Sequence, residues 1–141
     1  MKRRTTVSLL LVVLLIAACA STAGPVSTPQ QAQKALAEAQ AARVAVRDAI
    51  AKSYVTAQQG IQASPNDQVA VRIWTQAQAA RVAFNKVDPA FTTAWGLAAD
   101  AVDAWLKAPA DQSAADTFHA VFTSVTKSLN DLRAAQAGGG Q

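Results

Sequence analysis

Two side chains stand alone in this sequence: Cys19 is its only cysteine and His119 its only histidine. A Ser-His-Asp or Cys-His catalytic arrangement has to draw on His119. That residue lies about 100° around the helical wheel from Phe118, toward the solvent edge of its segment, which reads as a surface or boundary histidine. A zinc site built from Cys and His ligands cannot be assembled from one of each. Glu38 is the sole glutamate and Met1 the sole methionine, so neither the Glu-x-x-His pairs of a di-iron bundle nor a methionine ligand for haem is available. Four aspartates fall close together, Asp100 and Asp103 on one helix and Asp111 and Asp116 at the start of the next. A weak cation site is one reading of them. A solvated face with charges compensating a helix N-terminus is the plainer one. Nothing specifies a glycosidase-like carboxylate pair. The chain is expected to hold no cofactor and no metal, and to be no enzyme.

Cys19 has a chemistry of its own. Met1-Lys2-Arg3-Arg4 carries three positive charges, and an apolar run from Val7 to Ala18 follows, broken only by Ser8. A basic end, a short apolar centre and a small-residue exit make a secretory signal. The run is shorter than the ~20 residues that span a bilayer as a helix. Ile16-Ala17-Ala18-Cys19 resembles the lipobox of bacterial lipoproteins: a branched apolar residue, two small ones, then cysteine. The resemblance implies cleavage between Ala18 and Cys19, and diacylglycerol joined to the thiol of Cys19 as a thioether. It also gives the lone thiol of an exported chain a purpose. The family's cysteine carries two or three acyl chains, enough for stable anchoring where a single chain binds only reversibly. The expected address is a bacterial membrane with the domain exported from the cytoplasm, and Ala20 after the cysteine fits the outer membrane if the source is Gram-negative.

Cleavage also rewrites the composition. The formal charge of +4 includes Lys2, Arg3 and Arg4; without them ten basic residues face nine acidic ones. The basic balance that would prompt a search for nucleic acid thus belongs to the leader, and no nucleic-acid partner is expected. The remaining 123 residues suit one domain whose apolar content is mostly alanine.

The positioning elements read as helices throughout. Ala20 to Ser27 is small and turn-forming, so residues 19–28 form the lipidated cysteine and a tether of roughly 30 Å at full extension. Thr28-Pro29-Gln30-Gln31, Ser64-Pro65-Asn66-Asp67 and Asp88-Pro89 each join a capping side chain to proline at the first helical position, and Pro109 with Asp111 marks a fourth start. Stripes at steps of three and four follow: Ile73, Ala77, Ala80, Phe84, Val87; Phe91, Trp95, Ala98, Val102, Trp105; and Phe118, Phe122, Val125, Leu129, Leu132. The first segment is longer and weaker, with Leu36, Ala39, Val46, Ile50, Tyr54 and Ile61. The expectation is an all-α, Ala-rich antiparallel bundle of about four helices over 29–136, at 29–60, 65–87, 89–107 and 111–136, followed by a Gly-rich tail at 137–141. A short echo, Ala39–Ala45 against Ala77–Ala83, is as readily a chance match in so alanine-rich a chain.

Trp74 is set about 100° from Ile73, on the side that carries Val71 and Val82, giving the second segment a further apolar face. It contacts another helix of the bundle or forms a patch for a partner. The function expected is a membrane-anchored, non-enzymatic interaction or structural module of the cell envelope. Two alternatives stand beside it. One is a carrier or sensor for a small apolar ligand inside the bundle. The other is a phage- or prophage-encoded lipoprotein of lysis or superinfection exclusion.

Overall fold

The helices begin where a side chain can satisfy an otherwise free amide. A computed structural model describes residues 25–138. Thr28 caps α1 (Pro29–Ala63), its Oγ1 accepting from the amide of Gln31 at 3.2 Å with Pro29 at the first position. The Gln31 Oε1 accepts in turn from the amide and hydroxyl of Ser27 at 2.8 and 3.0 Å, which fixes the entry of the chain. Asp67 caps α2 (Gln68–Lys107) by accepting from the Val69 amide at 2.9 Å. Asp111 opens α3 (Gln112–Gly138) in the same manner, accepting from Ser113 at 2.9 Å. The described residues are all-helical, with no strand among them.

Three helices stand where about four were expected. The segments expected at 65–87 and 89–107 are joined in one helix, Gln68–Lys107, and Pro89 lies inside it. Proline there removes one amide donor and crowds the preceding turn. Tertiary contacts override that cost, because the apolar stripe passes Asp88-Pro89 in phase: Phe84 and Phe91 are both buried, and Val87 packs against the core between them. The start of the second helix also moves. Ser64-Pro65-Asn66-Asp67 is a turn, closed by the Asp67 amide donating to the Ser64 carbonyl at 3.1 Å, and Asp67 rather than Ser64 takes the cap. At the other end α3 continues to Gly138, into the stretch expected as a tail. The leader, Cys19 and the rest of the tail fall outside the described residues, as does most of the tether.

Four-residue turns at 64–67 and 108–111 make neighbouring helices antiparallel. Leu36 stands level with Trp95, Arg43 with Asp88 and Tyr54 with Trp74. At 1.5 Å per residue the three helices measure about 52, 60 and 40 Å, so α3 is too short to accompany the hairpin of α1 and α2 to its tip. It stops near Ile50 and Ala77, where Gln136 closes one end of a hollow. The core therefore occupies the three-helix part. Phe91, Phe118, Val125 and Leu132 are wholly shielded, with Leu36, Ile50, Phe84, Val102 and Trp105 around them and alanines at 32, 39, 94, 98, 101 and 115 letting the helices approach closely. Past α3 the buried residues dwindle to alanines such as Ala57 and Ala77. Ile73, expected on the seam, is 47% exposed there because no third helix covers it.

Candidate functional site

The polar chemistry of the bundle is concentrated at one crossing between α1 and α2. The Arg43 guanidinium donates from Nε to Asp88 Oδ1 at 2.6 Å and from a terminal nitrogen to Oδ2 at 2.7 Å. Both side chains are about one-fifth exposed, so water screens the pair only in part. The hydrogen bond to Asp88 holds the Arg43 pKa above its ordinary value, against the opposing effect of burial. The same guanidinium lies 5.8 Å from the centroid of Phe91. One turn on, Thr92 Oγ1 donates to the Asp88 carbonyl at 3.1 Å. This cluster ties α1 to the residue immediately before Pro89. It braces α2 beside Pro89, where the helix lacks one amide donor.

The other sequence candidates do not converge. His119 is exposed, its ring edge-on to Phe118 at 5.6 Å and to Trp105 at 6.0 Å between centroids. Asp100 and Asp103 are exposed on α2, Asp111 is spent on its cap, and Asp116 accepts from Gln112 at 2.8 Å. Among the described residues no group of three or more His, Cys, Asp or Glu side chains is placed to hold a metal ion. Trp105 is buried against Phe118, whereas Trp95 is half-buried and donates from its indole nitrogen to the Leu36 carbonyl at 3.0 Å. No buried side-chain nitrogen or oxygen among the described residues lacks a partner.

What the surface offers is apolar. Val55, Val69, Val71, Ile73, Val82 and Leu97 are each 44–68% exposed. Of the patch Val71, Trp74 and Val82, the two valines are open to solvent while Trp74 is half-buried, its ring 4.9 Å from that of Tyr54. Arg81 covers Tyr54 at 4.5 Å from the ring centroid, so the two aromatics and the arginine brace the hairpin beyond α3. Two hollows accompany these residues. A groove of about 690 Å³ runs between α2 and α3 along Pro89, Thr93, Leu97, Ala120 and Ser124. A smaller one of about 280 Å³ lies where α3 ends, between Ile50, Ser53, Ile73 and Ala77. Neither gathers a catalytic set of polar side chains. Leu97 was absent from the sequence candidates, although the 3.6-residue period places it about 120° around α2 from Phe91 and so outside the core stripe.

No protein-family model, curated protein or solved structure matches this chain. No helix among the described residues is long and apolar enough to cross a membrane.

Proposed function

We propose that the protein is a lipid-anchored, non-enzymatic module of the bacterial envelope that works by helix-surface contact close to the membrane. The observation that carries this reading is the exposure of large apolar side chains along a braced helical rod, Val71 and Val82 among them. Side chains of that kind serve recognition when they lie together on a rigid element. The anchoring half rests on Ile16-Ala17-Ala18-Cys19. Val26 packs against the core, so seven residues lead from Cys19 to the folded body, about 25 Å when fully extended. That reach holds the rod beside the bilayer. Both hollows are grooves at the surface, which favours contact with a macromolecule over enclosure of a small apolar ligand.

A photo-crosslinking amino acid incorporated at Val71 or Val82 in growing cells tests the reading. Discrete adducts in the membrane fraction are expected from these positions, and none from the exposed Gln62 at the hairpin tip. Equal labelling at all three positions, or adducts only in the soluble fraction, contradicts it.

A further inference from the structure

The two most exposed large apolar side chains of the described residues, Val82 at 68% and Leu97 at 55%, lie on the same stripe of α2. Between and beyond them, at steps of three and four, come Lys86, Pro89 or Ala90, Thr93, Asp100 and Ala104, every one exposed. This stripe faces away from α1 and forms one wall of the groove shared with α3. Neither Lys86 nor Asp100 has an ion-pair partner among the described residues.

The stripe is complementary to its own reverse. Set α2 antiparallel to a second α2, with a twofold axis at Thr93, and Lys86 stands opposite Asp100, Pro89 opposite Leu97, and Val82 opposite Ala104. Each large side chain meets a smaller or flatter one, and each charge meets its opposite, twice over. That is the self-matching an isologous interface requires. We infer that this face binds a second copy of the chain, giving an antiparallel dimer centred on Thr93.

The size fits. From Val82 to Ala104 is roughly 33 Å along the helix; with α3 alongside, the face is about 20 Å wide. Burial of roughly 650 Å² per copy gives some 1,300 Å² in total, within the range of specific interfaces. Ala90, Ala120 and Ser124 beside the seam allow close approach.

The inferred dimer deepens the proposed function by naming the partner, and its anchoring consequence rests on that reading. The first turn of α1 is about nine residues along the rod from the level of Thr93. The two chain entries of the dimer then lie roughly 27 Å apart along its axis, close enough for both lipids to enter one leaflet with the rods lying along it. Two anchors acting together bind far more firmly than one.

Sedimentation equilibrium of the full chain in mild detergent tests the dimer, with Lys86→Glu, Asp100→Lys and their combination as variants. All of these positions are exposed, and unchanged helical circular dichroism verifies folding. The wild type is expected to be dimeric, and each single reversal to weaken association about tenfold or more by setting like charges together. The double reversal should restore it to within about threefold. A monomeric wild type at tens of micromolar overturns the inference. So does a dimer indifferent to both single reversals. The mass of the same preparation reports lipid on Cys19 separately, so failure of the anchor is distinguishable from failure of the dimer.

Discussion

Arg43 grips Asp88 through two hydrogen bonds of 2.6 and 2.7 Å, one residue before the proline that interrupts the backbone ladder of α2. The relationship explains why a residue pair that normally starts a helix sits in the middle of one. Asp88 does not cap the amides that follow it; its carboxylate is turned to the neighbouring helix and held there. Removing either partner leaves a half-buried charge facing an apolar neighbourhood around Phe91. Arg43→Ala and Asp88→Ala are each expected to lower stability by about 2 kcal/mol, with a coupling of about 1–2 kcal/mol in the double-mutant cycle. Urea unfolding of the four proteins measures both quantities.

The pH behaviour of this contact follows from the direction in which Arg43 is shifted. Its pKa in the fold is raised by the hydrogen bond to Asp88. A raised cationic group contributes stability that is complete below its unfolded pKa and fades only as pH climbs through the folded one. Both lie at the strongly alkaline end, so titration of Arg43 takes nothing from stability between pH 7 and about 10. Denaturation midpoints of wild type and Arg43→Ala should stay a constant distance apart over that window. A gap that closes by pH 9 contradicts the assignment.

Pro89 is tolerated in α2 rather than required by it. Its ring takes one amide out of the ladder, and the side chain is exposed, so alanine restores a hydrogen bond without opening a cavity. Pro89→Ala is expected to raise stability by about 1–3 kcal/mol, read as a higher urea midpoint. A lower midpoint would mean that the local geometry imposed by proline supports the bundle.

Trp95 joins α2 to α1 by donating its indole hydrogen to the Leu36 carbonyl at 3.0 Å, across 59 residues of sequence. Phenylalanine keeps most of the ring and none of the donor. Trp95→Phe should cost about 1 kcal/mol, the ordinary net value of one such bond. Phe118 is a contrasting case, wholly buried with Phe122 at 5.1 Å and Trp105 at 6.0 Å. Phe118→Ala is expected to cost about 3–5 kcal/mol, because the cavity left between α2 and α3 cannot close around so rigid a neighbour. Thermal unfolding of the two variants ranks them.

Much of this fold was legible in residue spacing, and its failures share a cause. The stripes ending at Val87 and beginning at Phe91 are four residues apart, the same step as within each stripe. That phase match signals one continuous helix. Asp88-Pro89 reads as a helix start because local capping chemistry is strong when nothing opposes it. Arg43, 45 residues away, opposes it here, and no local rule sees that distance. Ile73 failed for a similar reason. Its period is correct for a core face, but the face is covered only as far as α3 extends, which depends on the length of another element. Trp74 needed Tyr54 to be placed, and the helical period that put it on the side of Val71 could not choose between a neighbour and solvent. The stripe from Val82 to Ala104 was open to reading all along. It emerges as a face only once residues 68–107 form one helix.

On the function proposed above, the protein is held at a membrane through Cys19 and acts there by contact. Intact-mass and peptide mass spectrometry of the chain purified from the membrane fraction of bacterial cells that express it tests this most directly. The predicted result is an N-terminus at Cys19 whose first peptide carries diacylglycerol on the thiol, with Cys19→Ser moving the protein out of that fraction. A chain beginning elsewhere with an unmodified thiol, or a Cys19→Ser variant that remains in the membrane, contradicts it.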